Sequence, residues 1–423
     1  MKYFHYRENH LYCEETLVQE LAEEFGTPIY IYSKNQLLEN YRAINNALAG
    51  VDHVTCYALK ANSNHELLKL LVAEGSGADA VSAGEIYLAL RAGFDPQKIT
   101  FAGVGKRDDE IEFALKKNIY SFNVESMQEL EVINQIAGRM KRRARVALRI
   151  NPDIDAATHP YISTGLKSNK FGIDIAVAPQ SFAYAASLPN IIMDGIHTHI
   201  GSQILKIEPF VQTATTVANL VKELRANGVN IHHIDFGGGF GVQYKNAVTH
   251  PLLPVEQTTE ADEAPSLETF ISSVLPILKE TGCRLFFEPG RSIVANTGIL
   301  VSKVLYRKDN GVKKFVIIDG AMTDLLRPSL YQAYHQIVPL TLNEKEKEIV
   351  DVVGPVCESG DFLAKERTVQ NVQRGEYLAA LTAGAYGMVL TSHYNARPKI
   401  AEVLVNGEKV RVIRERETIE ELK

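Results

Sequence analysis

Along the chain, short runs of apolar and β-branched residues alternate with longer stretches in which apolar side chains recur every three or four positions. Eight such runs come first, at 54–59, 78–82, 99–103, 121–124, 146–151, 194–200, 232–236 and 284–288. Runs of this length bounded by turn-forming or polar residues read as strands. Between them, 66–73, 83–92, 108–116 and 126–136 carry helical periodicity. The first five runs start 21 to 25 residues apart and the later ones 38 to 52, so the early βα units are near-minimal and the later ones hold insertions. Eight βα units over residues 27–291 are what a (β/α)8 TIM-like barrel of about 250 residues requires.

After Arg291 the rhythm changes to strands without long helices, at 298–306, 314–319, 348–354, 377–381 and 400–405. The expected fold is therefore α/β: a barrel at 27–291 followed by a mainly β domain at 292–423. Residues 1–26, with alternating Phe4-His5-Tyr6 and Leu11-Tyr12-Cys13, add a strand to that domain. Two long connections, 151–173 and 242–267, follow the fifth and seventh strands, which places them on the face where barrels carry their chemistry. The second is acidic and is expected to move as a lid.

Composition narrows the partners. With 45% hydrophobic and 23% charged residues, the chain is neither disordered nor fibrous. A net charge of -6 gives no basic field for nucleic acid or anionic lipid. The short cluster Lys141-Arg142-Arg143 reads as a solvated helix end. The longest run without charge, 377–396, contains Thr382, Gly384, Gly387, Thr391, Ser392, His393 and Asn395, too polar for a membrane span. Cys13, Cys56, Cys283 and Cys357 show no metal or redox spacing, and the N-terminus has no leader pattern, so a cytoplasmic protein with reduced thiols and no metal is expected.

Polar residues at the ends of barrel strands converge on one site. The first strand ends in Tyr57-Ala58-Leu59-Lys60-Ala61-Asn62, where Lys60 is either a Schiff-base amine or a snorkelling surface lysine. The sixth ends in His197-Thr198-His199-Ile200-Gly201-Ser202-Gln203; two histidines on one strand face suit a metal pair, a ring-stacking platform or plain packing. The seventh runs into Gly237-Gly238-Gly239-Phe240-Gly241, a backbone cradle for phosphate or a tight turn. Phosphate sites of barrels favour this position. The eighth ends in Glu288-Pro289-Gly290-Arg291, offering a carboxylate and a guanidinium, or simply an ion pair. An amine, a stacking ring, a phosphate cradle and a carboxylate together meet the needs of pyridoxal 5'-phosphate, whose ring nitrogen must stay protonated.

These motifs resemble the fold-type III, alanine-racemase-barrel decarboxylases of basic amino acids, and the resemblance covers nearly the whole chain. It implies that Lys60 forms the cofactor Schiff base, that His199 stacks on the ring, and that Ser202, Gly237, Gly238, Gly239, Gly290 and Arg291 serve the phosphate. Glu288 would hold the ring nitrogen. In the β domain, Gly354-Pro355-Val356-Cys357-Glu358-Ser359-Gly360-Asp361 matches the loop whose cysteine donates a proton to the substrate carbon. Ala383-Gly384-Ala385-Tyr386-Gly387 matches one whose tyrosine touches cofactor and substrate. The resemblance further implies a head-to-tail homodimer in which Cys357 and Glu358 act in the neighbouring barrel.

Ornithine-type relatives usually carry Asp after the cysteine and lack the Arg of Leu326-Arg327-Pro328-Ser329-Leu330-Tyr331. Here Arg327, with Arg291 and Tyr331, suits a distal carboxylate and Glu358 a distal ammonium. The implied reaction is decarboxylation of meso-2,6-diaminopimelate to L-lysine and carbon dioxide, with the distal D centre held by Arg327, Tyr331 and Glu358. The loop motifs 159–165 and 168–172 agree with this, whereas Val104 and Gly105 depart from the usual pattern before Lys106. Alternatives are an ornithine- or arginine-type decarboxylase, a racemase, a barrel metal hydrolase using the two histidines, and a pyridoxal-binding regulator without catalysis.

Overall fold

The computed structural model describes residues 1–155, 164–165, 169–259 and 262–422; positions 159–163 and Ser168 of the loop motifs lie outside them. Contacts divide the chain into two units.

One unit, residues 40–241 and 264–292, holds eight parallel strands closed into a barrel. They are β1 (His53–Ala58), β2 (Gly77–Ala80), β3 (Ile99–Phe101), β4 (Ser121–Val124), β5 (Ala144–Asn151), β6 (Ile191–His197), β7 (His233–Asp235) and β8 (Arg284–Phe287). Each pairs with the next, and β8 pairs with β1. Helices fill the connections where the sequence supplies periodicity and caps. Ser82 accepts from the Glu85 N–H at 3.1 Å to start Ala83–Ala92, and left-handed Gly93 ends it. His232 and His233 lie at the opening end of β7, bonded through Nδ1 to Asp194 at 2.9 and 3.2 Å, far from the strand ends that converge on the site. A Cβ on Gly195 would come within 2.2 Å of the His233 ring, so β6 passes this histidine only as glycine.

The second unit comprises residues 1–39, 242–263 and 293–423. Its main sheet runs Phe362–Gln370, Lys347–Val353, Lys314–Ile318, Gly298–Asp309, Ile29–Ser33, Ala401–Asn406 and Lys409–Arg414; Tyr377–Ala380 also pairs with Gly298–Asp309 and carries Ile337–Pro339. Residues 27–39 cluster here although the sequence pattern places them with the barrel. Ile29 and Ile31 join an apolar cluster with Ile299, Val301, Val403 and Val405. Tyr30 and Tyr32 are buried on the opposite face, their hydroxyls donating to the Asp324 carbonyl (2.6 Å) and Glu402 (2.8 Å). The first residues make their own three-stranded sheet, Phe4–Arg7, His10–Cys13 and Thr16–Leu17, rather than adding one strand.

Much of the insertion expected to be a lid is anchored in this unit. Ala247, Val248 and Leu253 are buried in the same apolar cluster, and Gln336 bonds both the N–H and the carbonyl of Val248. Among the described residues, no helix is long and apolar enough to cross a membrane.

Candidate active site

The C-terminal ends of the barrel strands gather Lys60, His199, Ser202, Gly237, Gly238, Gly239, Glu288, Gly290 and Arg291. Lys60 follows β1 in a short helical turn, and its Nζ lies 2.7 Å from Oδ2 of Asp79, a fully buried carboxylate on β2. Burial, then the nearby Glu288 charge, raises the Asp79 pKa, and Lys60 opposes both.

Glu288 is the centre of a buried polar network. His197 Nε2 lies 3.2 Å from its Oε2, while Asn123 Nδ2 bridges its Oε1 (3.2 Å) and Oδ2 of Asp235 (2.9 Å). Thr100 donates to the same Oε1 at 3.3 Å. Burial works against ionisation of Glu288, but His197 and Lys60 outweigh it and hold this carboxyl below the usual range. Burial and the Glu288 charge push Asp235 the other way, well above the ordinary aspartate value. Two carboxyls this close oppose each other's ionisation, which drives the two in opposite directions, Glu288 down and Asp235 up. Facing atoms of His197, Asp235 and Glu288 lie within 4.8 Å of one another, as in a metal triad, yet they are spent on each other and on Asn123.

His199 is neutral, with a defined tautomer. Its Nδ1 accepts the Gly238 N–H at 3.2 Å, so the ring proton sits on Nε2. Burial, with positive Arg149 and Lys60 nearby, holds its pKa well below 6.5. Arg149 is itself fixed by Glu125, 2.6 Å away and buried, whose other oxygen accepts the Gly172 N–H at 2.8 Å. In this way the loop after β5 is tied back to the strand ends.

The glycine run leaves no room for side chains. A Cβ at Gly237 would meet the Thr198 carbonyl at 2.4 Å, at Gly238 the Glu288 carbonyl at 2.2 Å, and at Gly239 the Gly201 carbonyl at 2.3 Å. Ile204 N–H bonds the Gly239 carbonyl at 3.0 Å, which brings the 201–204 turn alongside the run, and Arg291 Nη2 donates to Ser202 Oγ at 3.0 Å. The residues present fit a phosphorylated ring with a basic nitrogen. They offer bare backbone, hydroxyl and guanidinium at one place, a carboxylate held ionised at another, and an amine between acids. Asp79 Oδ1, Asn123 Oδ1 and His197 Nδ1, all buried, have no hydrogen-bond partner among the described residues, where buried polar atoms normally have one.

Cys357, Glu358, Arg327, Tyr331 and Tyr386 lie in the other unit. Cys357 and Glu358 are exposed on a loop pinned by Asp361, which accepts the Val356 and Met322 N–H groups at 2.6 Å each. Arg327 is buried, whereas Tyr331 is half-buried. Tyr386 stands at φ 55, unusual for a bulky residue, beside Gly384, where a Cβ would come within 2.0 Å of the Val294 carbonyl. The other cysteines, Cys13, Cys56 and Cys283, are buried free thiols. Lys106, in the motif that departs at Val104 and Gly105, is structural: its buried Nζ bonds the Gly103 and Asn123 carbonyls and Glu129.

Sequence reading passed over Asp79, Asn123, Asp235 and Thr100, and left His197 without a partner. Their signal was present as single polar residues inside otherwise apolar barrel strands.

A closed parallel barrel whose strand ends bring together a Schiff-base-competent lysine, an ionised buried glutamate and a glycine cradle is that of a pyridoxal phosphate enzyme. Residues 34–295 match the family described as pyridoxal-dependent decarboxylase, pyridoxal binding domain. The chain is 46% identical over 415 residues to the diaminopimelate decarboxylase of Aquifex aeolicus, covering 98% of this chain and 95% of that one. Its identity to the Haemophilus influenzae diaminopimelate decarboxylase is 45% over 424 residues, with 100% and 98% covered. Among solved structures, Helicobacter pylori diaminopimelate decarboxylase complexed with L-lysine superposes with a TM-score of 0.89 at 43% identity, covering 96% of this chain and 98% of that one. The chain belongs to the pyridoxal-dependent decarboxylases.

Proposed function

We propose that this chain decarboxylates meso-2,6-diaminopimelate to L-lysine and carbon dioxide, the last step of lysine biosynthesis, in the cytoplasm. The observation that carries the reading is its likeness, over essentially full length, to diaminopimelate decarboxylases. Pyridoxal 5'-phosphate, when bound, supplies an electron sink for the pair released as the Cα–carboxylate bond breaks.

Lys60 would hold the cofactor through its amine. Neutral His199 would lie against the ring, and Glu288, kept ionised by His197, would keep the ring nitrogen protonated. Gly237, Gly238, Gly239, Gly290, Ser202 and Arg291 would bind the phosphate, with Tyr386 touching cofactor and substrate. Cys357 returns a proton to the reacting carbon. Arg291, Arg327 and Tyr331 bind carboxylate, and Glu358 binds the distal ammonium. Because the product is L-lysine, carbon dioxide leaves the D centre and the centre held at a distance is the L one, the reverse of the sequence expectation. The active species is a homodimer in which Cys357 and Glu358 of one protomer serve the barrel of its partner; their exposure on a loop held by Asp361 suits that role.

Adding meso-diaminopimelate to the purified holoenzyme should change the cofactor absorbance and release L-lysine. Release of a diamine from ornithine or arginine instead would support the other decarboxylase class, and an absorbance change without product would support the non-catalytic regulator. Replacing Lys60 by Ala should abolish borohydride trapping of the cofactor; undiminished trapping would remove Lys60 from its role.

A further inference from the structure

Arg327 is held in a way that defines the state of a second residue. Its Nη1 lies 2.8 Å from Nε2 of His335, and His335 Nδ1 lies 2.8 Å from the Leu381 carbonyl oxygen. A guanidinium only donates and a carbonyl only accepts. His335 therefore donates from Nδ1 and accepts at Nε2, which makes it the neutral Nδ1–H tautomer. An imidazolium would turn an N–H against the guanidinium. The ring is fully buried, and Arg327 is 5% exposed. Tyr244 completes the clamp, with its ring 4.7 Å from the Arg327 guanidinium and set edge-on to His335 at 5.3 Å and 85°. The Leu381 carbonyl is itself fixed, because the Leu381 N–H bonds the Gln336 carbonyl at 2.9 Å.

We propose that His335 is the positioning residue of the substrate-carboxylate site: as a hydrogen-bond acceptor it sets the plane of the Arg327 guanidinium, and so selects ligands that carry a carboxylate at the end remote from the reacting carbon. The inference rests on the reading that Arg327 binds that carboxylate. An arginine recognises a carboxylate through a planar fork, and a fork whose plane is free loses orientation and the entropy of ordering it. Burial alone does not fix that plane; an acceptor on one Nη and a ring on the face do. His335 acts through Arg327 and touches no reacting atom, so it belongs to recognition rather than to chemistry.

The test uses the holoenzyme and two probes, L-lysine, which keeps the distal carboxylate, and 1,5-diaminopentane, which lacks it. For His335→Leu, affinity for L-lysine should fall by about tenfold or more, the range for losing order in a charged hydrogen bond, with diaminopentane affinity within twofold of the parent. KM for meso-diaminopimelate should rise with kcat much less affected. His335→Gln, whose Oε1 can accept from Arg327, should recover most of the loss. Unchanged L-lysine affinity in His335→Leu alongside a large loss in Arg327→Leu would overturn the role of His335 while keeping that of Arg327. Unchanged affinity in Arg327→Leu would overturn the underlying reading itself. Should His335→Leu fail to fold, ring 15N shifts of His335 in the parent decide: the Nδ1–H pattern supports the proposal, and an Nε2–H or doubly protonated ring refutes it.

Discussion

A single methyl group at position 238 would sit 2.2 Å from the Glu288 carbonyl. Flexible side chains can yield to such a clash; backbone cannot, so Gly238→Ala must displace either the cradle or the strand end that carries Glu288. It should cost about 1–3 kcal/mol in stability and weaken cofactor retention, read as a lower Tm and faster loss of cofactor on dialysis. Gly105→Ala, where a Cβ meets nothing within 4 Å, should do neither. The same residue scale decides what a sequence reveals. Lys60, the Gly237–Gly239 run and Glu288-Pro289-Gly290-Arg291 stood out because they break an apolar pattern where a strand ends. Asp79, Asn123 and Asp235 break it one or two residues earlier, where a lone polar side chain looks like a tolerated core residue. Only closure of the barrel brings Asn123 to Asp235 and Glu288.

At the scale of elements, helix Ala83–Ala92 carries a cost that depends on pH. Glu85, in its first turn, accepts the Val81 N–H at 2.8 Å, and burial pushes its pKa from 4.5 to about 7. A carboxyl with a raised folded-state pKa binds its proton more tightly in the fold, so its contribution favours folding at low pH and is lost as pH rises from about 4.5 through about 7. Glu85→Gln keeps an acceptor for Val81 and cannot ionise. Its Tm relative to the parent should climb between pH 5 and pH 8, and a constant difference would contradict the shift. The eight barrel strands were legible to within about three residues at each end, because each is apolar and bounded by polar residues or turns. Phe362–Gln370 was not, since Lys365, Glu366 and Arg367 interrupt it and only pairing with Lys347–Val353 reveals a strand. Ile29–Ser33 was hidden differently: nothing in Ile-Tyr-Ile-Tyr-Ser states that its partners lie some 270 and 370 positions downstream.

For the whole molecule, the proposal that protomers share their sites makes a quantitative prediction. Lys60→Ala and Cys357→Ala homodimers should each be nearly inactive. Mixing and re-annealing them in equal amounts makes half the dimers hybrids, each with one complete site of two, so about a quarter of parental activity should return. No recovery would place Lys60 and Cys357 of the same protomer in one site. The pairing of Ile29–Ser33 also bears on the order in which the protein is made. This strand leaves the ribosome among the first residues, yet its antiparallel neighbour begins at Gly298 and its parallel neighbour at Ala401. Every residue of the barrel unit is synthesised in between. A nascent chain therefore carries an apolar strand with both edges open until Gly298–Asp309 is made, and with one edge still open until synthesis is almost complete, a condition that favours misassociation and calls for chaperones.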